Sequence, residues 1–262
     1  VQYDQLTATR EGESAPFLIG ETLHLEYRGS NFITPDPSLG LADLWDDEEA
    51  RQRRANNSLN LFVDRATVPD MSALNYHLPP ETALQFAGGT TELNAEVFFG
   101  EESLGGTIQL DSVATQVQID EQRLKADLDI DMNLAGGNPR TFTADFTDST
   151  LRLFNVYVEG EKEKFEGDYW STTLQVTSGE GVFTQPIKLS AESLITVSDT
   201  RPLVALFKNR SRTPKWLGNM MSVKNLEGAA EMSLSGGKLR VPLAYVDSEK
   251  AEVGIKATFF EG

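Results

Sequence analysis

The densest set of side chains able to do chemistry is Asp127, Asp129, Asp131 and Asn133, at the alternate spacing of a calcium-binding loop. Such a loop needs glycine at its sixth position and a bidentate glutamate at its twelfth, where Met132 and Asn138 stand. On a strand these acids project side by side about 7 Å apart and cannot converge on one ion, so they read as a solvated outer face. His24 and His77 are the two histidines and have no H-x-x-x-H spacing. No G-x-S-x-G elbow supplies a serine nucleophile, and the absence of cysteine removes thiolate chemistry. Forty acidic residues make some pair of neighbouring carboxylates inevitable, so such a pair does not single out glycoside hydrolysis. Gly88-Gly89 and Gly236-Gly237 read as hairpin glycines, since neither opens a helix after a buried strand to cradle a phosphate. The expectation is a protein without catalytic residues, metal or cofactor.

One further short motif stands out, Asp199-Thr200-Arg201-Pro202-Leu203. It reads as a capped helix, with Asp199 or Thr200 as cap and Pro202 in the first turn. Arg201 is then placed to pair with a carboxylate or to meet a ligand headgroup.

The elements that carry these residues are strands. Leu124, Ala126, Leu128, Ile130, Met132 and Leu134 alternate with Lys125, Asp127, Asp129, Asp131 and Asn133, which makes one apolar and one acidic face. Similar patterns predict strands over 1–9, 21–27, 59–63, 84–86, 93–99, 107–119, 124–134, 141–146, 151–158, 170–176, 187–197, 230–234, 239–245 and 253–259. Gly88-Gly89, Gly105-Gly106, Gly136-Gly137-Asn138-Pro139 and Gly179-Glu180-Gly181 read as the turns between them. Such short connections imply antiparallel pairing, because parallel strands need long crossovers. Short helices are expected at 71–76, with Asp70 as its cap, at 199–207 and at 214–221, and a helical insertion at about 35–56 around Trp45.

Two strands change parity. Ile108 and Leu110 share a face, but Val113, Thr115, Val117 and Ile119 continue with the opposite numbering, which predicts a bulge near Ser112. Leu151 and Leu153 followed by Phe154, Val156 and Val158 show the same shift. Bulges bend sheets, so the expected fold is mainly β, a single long and strongly curved antiparallel sheet with a few short helices.

The chain has 262 residues and a net charge of -17. That charge argues against nucleic acid and anionic membrane surfaces as partners. No window approaches the roughly 18 consecutive apolar residues of a spanning helix. Val1 and a strand running almost to the last residue lead us to expect one β unit over 1–262 that is part of a longer protein.

Strand parity selects Leu93, Ala95, Val97, Leu124, Leu128, Ile130, Met132, Leu174, Val176, Leu189, Leu239, Val241, Val253 and Ile255 as positions on a shared apolar face. Few helices are available to cover it, and a face of that size exceeds what soluble proteins leave bare. A second sheet would make a sandwich, whereas lipid chains would make a groove.

The segment from Leu59 to Pro79, Trp170 after a strand pair, Asp199-Thr200-Arg201-Pro202-Leu203, Pro214-Lys215-Trp216-Leu217 and the acidic alternating strands together resemble the C-terminal half of large bacterial AsmA-like proteins. The resemblance runs from about Leu59 to the end. It implies a taco-shaped periplasmic β-groove, tethered to the inner membrane by a segment elsewhere. It also implies that phospholipid acyl chains are carried between inner- and outer-membrane components in support of the outer-membrane barrier. Two alternatives follow from the residues alone. One is a closed β-sandwich adhesin or carbohydrate-binding module using Tyr157, Tyr169 and Trp170 as exposed aromatics; the other is an envelope assembly factor for outer-membrane proteins that pairs edge strands.

Overall fold

Alternating strands with short connections build one large antiparallel sheet that does not close into a barrel. The computed structural model describes residues 2–3, 6–9, 16–28, 58–77, 84–119, 122–158, 170–184, 188–201, 224–235, 238–247 and 253–259. Among them the strands are β1 (Gln2–Tyr3), β2 (Leu6–Thr9), β3 (Pro16–Gly20), β4 (Thr22–Arg28), β5 (Ser58–Val68), β6 (Leu84–Phe99), β7 (Leu104–Ile119) and β8 (Gln122–Leu134). They continue as β9 (Gly136–Asn138), β10 (Thr143–Asp145), β11 (Thr150–Val158), β12 (Ser171–Val182), β13 (Lys188–Asp199), β14 (Lys224–Ser235), β15 (Lys238–Asp247) and β16 (Val253–Phe259). The main path runs β1-β4-β5-β6-β7-β8-β11-β12-β13-β14-β15-β16, with β2, β3, β9 and β10 beside it. Of the helix expected at 199–207, Asp199 ends β13 and only Thr200 and Arg201 beyond it are described; the segments 35–56 and 214–221, along with Tyr169 and Gly236-Gly237, lie outside the described residues.

A 3₁₀ helix, Met71–His77, follows β5. Asp70 caps it as expected: its carboxylate accepts the Ser72 N–H at 2.9 Å, and its carbonyl accepts the Ala73 N–H at 3.1 Å. Asn75 then serves as a substitute strand. Its side-chain amide donates to the Phe86 carbonyl and its side-chain oxygen accepts the Phe86 N–H, both at 2.7 Å. Phe86 lies beyond the last residue of β6 that pairs with β5, so this contact satisfies backbone groups at a free strand edge. No helix among the described residues is long and apolar enough to cross a membrane.

Several glycines expected to mark turns lie inside strands instead. β6 passes through Gly88-Gly89 without a break, and β7 begins ahead of Gly105-Gly106; the turn between them is at Gly100, whose N–H donates to the Ser103 carbonyl at 2.7 Å. Gly89 has a φ of 112°, and a Cβ there would sit 2.6 Å from the Thr115 Cα. Glycine is needed at that position for close backbone approach at a bulge. Gly179-Glu180-Gly181 likewise falls within β12, and Gly136-Gly137-Asn138 forms β9, which hairpins with β10. The strand expected at 141–146 shrinks to Thr143–Asp145, while β3 is a strand the hydrophobic pattern does not reveal.

The parity changes are bulges: the one expected near Ser112 is there, and the one in β11 falls after Phe154 instead of before it. The β7–β8 register shifts between Ser112 and Thr115, with Ala114 at a φ of 57°. Val113 therefore pairs with Thr90 on the outer face and is 66 % exposed, instead of joining Thr115 and Val117. In β11 the shift lies between Phe154 and Tyr157, with Asn155 at a φ of 53°, so Phe154 faces outward opposite Asp127. Asp127 is not a merely solvated acid. One carboxylate oxygen accepts the Ala114 N–H at 2.8 Å and the other accepts the Asn155 side-chain amide at 2.6 Å. It fastens together the bulges on both strands flanking β8. A related clasp holds the β5 bulge, where Arg65 has a φ of 50° and donates its N–H to the Asn94 side-chain oxygen at 2.8 Å.

These bulges predict two stability changes of opposite sign. An alanine in the left-handed region is strained by about 1 kcal/mol, so Ala114→Gly should raise the urea midpoint, although glycine normally weakens a strand. Asp127→Ala should lower stability by about 1–2 kcal/mol, because it strips a charged acceptor from two donors. A loss on Ala114→Gly, or no loss on Asp127→Ala, would contradict the role given to these bulges.

Candidate functional site

Cross-strand partners face the same side of a sheet, so the register traces one surface from strand to strand. Ala66, Leu93, Leu110, Ile130, Leu151, Leu174, Ile195, Gly228, Val246 and Val253 stand opposite one another in turn, one from each strand from β5 through β16 on the main path. At about 4.8 Å per strand the row extends roughly 43 Å along the sheet. Parallel to it run Ala95, Ile108 and Met132 on one side, and Leu128, Leu153, Thr172, Val197 and Leu226 on the other. Every residue in these rows except Thr172 and Gly228 carries an apolar side chain.

The bulges keep this face apolar. Without the shift in β7, Leu110 and Val117 would face opposite sides, because they differ by an odd number of positions. Three of the hydroxyls on this face bond to the backbone: Thr91 donates to the Asp111 carbonyl at 3.1 Å, Ser112 to Thr90 at 3.2 Å, and Ser193 to Ala230 at 3.2 Å. Hydroxyls bonded in this way keep little affinity for a ligand and behave as small packing groups.

Burial varies across the face in an informative way. Val117, Leu124, Ala126, Val156, Val158, Trp170 and Val197 form a buried cluster on one side of the long row, and Val97, Leu134 and Ala144 form another on the opposite side. Between them Leu93, Leu110, Leu128, Ile130, Leu174 and Ile195 are only half-buried, and Leu151 remains 36 % exposed. Thr91, Ser112, Val176, Ser193 and Ala230, on the same face near the middle of their strands, are buried, as is Ala66 in the long row, so partial exposure is confined to part of the face.

All the residues expected on a shared face do share it. Leu93, Ala95, Leu128, Ile130, Met132, Leu174 and Leu189 are half-buried there, while Val97, Leu124 and Val176 are buried. Leu239, Val241, Val253 and Ile255 join by backbone register, their side chains lying outside the described residues. Leu110, Leu151 and Ile195 complete the long row and are not among the expected positions. Trp170, expected as an exposed aromatic, is 4 % exposed, packed in the first cluster. Tyr157 is exposed on the outer face, opposite Lys125.

The outer face carries the acids. Glu92, Asp111, Asp129 and Arg152 stand in one cross-strand row, with Arg152 over the Phe154 ring at 5.3 Å. Partial burial pushes the Asp129 carboxyl above its usual range; Asp111, Asp131 and Asp127 push it the same way, against the pull of Arg152. No group of three or more His, Asp or Glu among the described residues is placed to hold a metal ion.

No family model, curated protein or solved structure matches this chain.

A carboxyl whose pKa rises on folding is penalised once ionised, so its cost is full above the folded pKa and fades as pH falls toward the unfolded value. Asp129→Asn should therefore stabilise the protein at pH 7 by about 0.5 kcal/mol, the scale of one like-charge cross-strand pair. The gain should vanish near the ordinary carboxyl value of 3.8. Urea titrations at pH 7 and pH 3.5 measure both; destabilisation at pH 7 would mean that Arg152 dominates instead.

Proposed function

We propose that this chain is a non-enzymatic conduit for lipid acyl chains, whose apolar face forms a curved trough open to water along one side. The supporting observation is the row of apolar side chains that runs from strand to strand across the sheet, several of them partly exposed. Each methylene moved into water costs about 0.8 kcal/mol, so a sixteen-carbon chain crossing bare would cost roughly 12 kcal/mol. A continuous oily floor removes most of that barrier without needing a specific pocket for each lipid. Transfer along such a floor is a succession of nearly equal states, so no residue has to perform a reaction.

The resemblance to AsmA-like proteins supports the same reading and extends it. On that basis the protein works in the periplasm, tethered to the inner membrane, and passes phospholipids toward the outer membrane. The acidic outer face keeps the sheet soluble and repels anionic surfaces, which confines lipid contact to the apolar side.

Organic extraction and native mass spectrometry of the purified chain should yield bound phospholipid; a protein that emerges lipid-free from membrane-containing lysate would overturn the proposal. Leu128→Asp combined with Ile130→Asp places two charges on the floor. Lipid transfer between vesicles should then fall more than tenfold, since each charge must be desolvated by a passing chain. Undiminished transfer by a folded double variant would be equally damaging.

A further inference from the structure

Successive strands of an antiparallel sheet are joined alternately at its two long rims, which sorts the connections by position. From β6 onward, the rim that holds the turn at 100–103 also holds 139–142, 183–187 and 236–237, none longer than five residues. The opposite rim takes the long connections 69–83, 159–170 and 200–223. Little chain is therefore available along the short-turn rim to cover the apolar face beside it.

Phenyl rings gather at the same rim. Phe183 directly follows β12 and is 45 % exposed. Its ring lies against the apolar face: a Cβ added at Gly181 would sit 2.9 Å from both that ring and the Leu189 side chain, and Gly181 pairs with Leu189. Phe146 lies over Gly179 in the same manner, so two glycines make room for rings at the rim end of β12. In the neighbouring turn the Phe142 carbonyl accepts the Phe183 N–H at 2.8 Å, and Phe142 holds a φ of 52°, which a bulky residue adopts only at a cost. Phe98, two residues before the turn at Gly100, is 41 % exposed. The charges on these turns balance. Arg140 bonds both Glu101 and Glu102, the second at 2.8 Å, and Lys188 and Lys238 open the strands after the next two turns. A chain of net charge -17 thus carries no surplus of acid on its short turns.

We propose that this short-turn rim, centred on Phe142 and Phe183, docks on the surface of a zwitterionic lipid bilayer, and that acyl chains cross it between the bilayer and the apolar face. The inference rests on the conduit reading and names where its lipid enters. Exposed phenyl rings gain by moving into the boundary between headgroups and chains, where their apolar area leaves water. Because the Phe183 ring adjoins Leu189, an acyl chain that leaves the bilayer beside it meets apolar surface at once. An anionic bilayer repels a chain of this charge, which leaves neutral headgroups as the partner.

The chain has no cysteine, so Thr184→Cys and Val113→Cys can carry a polarity-sensitive dye at the rim and on the outer face, both exposed positions. On adding phosphatidylcholine vesicles, the dye at Thr184→Cys should shift to the blue while that at Val113→Cys stays unchanged. Phe183→Asp should weaken vesicle binding about tenfold, the weight of one phenyl ring withdrawn from water, and should cost the binding of monomeric dioctanoylphosphatidylcholine several-fold less. Phe183 is exposed, so this variant should keep its fold, which circular dichroism checks; the dye-labelled proteins test the rim without it. Equal dye shifts at both positions, or undiminished vesicle binding by Phe183→Asp, would overturn the rim as the docking surface. Tighter binding to phosphatidylglycerol vesicles would overturn the neutral partner. A parent chain that binds no vesicles but is a dimer that Phe183→Asp dissociates would make the rim an interface between copies. Uptake of monomeric lipid without vesicle binding removes the rim and leaves the conduit; failure of both removes both.

Discussion

Side chains alternate across a strand, so a single unmatched residue exchanges its inner and outer faces from that point on. A sheet this wide keeps one apolar side only if every such slip is corrected in the neighbouring strands. The corrections are bulges at Arg65, Ala114 and Asn155, all in the left-handed region, and the shifts in β6, β12 and β15. Asp127, sitting between two of them, joins the backbone of one to the side chain of the other. The acid on the water side thereby fixes which residues face the oily side.

The same constraint sets how much of the fold can be read in advance. Strand type, antiparallel order and the identity of the apolar face are legible, because alternation in segments such as 124–134 leaves few other solutions. The exact bulge positions are not, since Ala114 and Asn155 adopt a conformation usually reserved for glycine and nothing local announces it. Val113 and Phe154 are assigned to the wrong side for that reason, each lying one residue short of the shift. The glycine pairs mislead in the opposite direction. Gly88-Gly89 and Gly105-Gly106 look like turns, yet they lie within β6 and β7, where Gly89 and Gly106 serve close backbone approach.

The candidate site divides in the same manner. Its floor is legible as periodicity, because an extended apolar face is written into many strands at once. Its rim is not, for Phe142 and Phe183 meet there only through the pairing of β10 with β12, which no sequence pattern shows. Buried Trp170 also shows why exposure cannot be assumed for an aromatic beside a turn-rich segment.

The central claim is that part of the apolar face, around Leu151, stays open to solvent while the cluster around Val158 is sealed. Because the chain has no cysteine, single thiols can report on this directly. Maleimide labelling rates of Leu151→Cys, Val158→Cys and Val113→Cys in the folded protein compare the floor, the closed margin and the outer face, at 36 %, 1 % and 66 % exposure in the native residues. Delipidated protein should label at Leu151→Cys nearly as fast as at Val113→Cys, with Val158→Cys strongly protected and lipid slowing Leu151→Cys alone. Protection of Leu151→Cys equal to that of Val158→Cys in the lipid-free protein would mean that the floor is sealed by protein, contradicting the account.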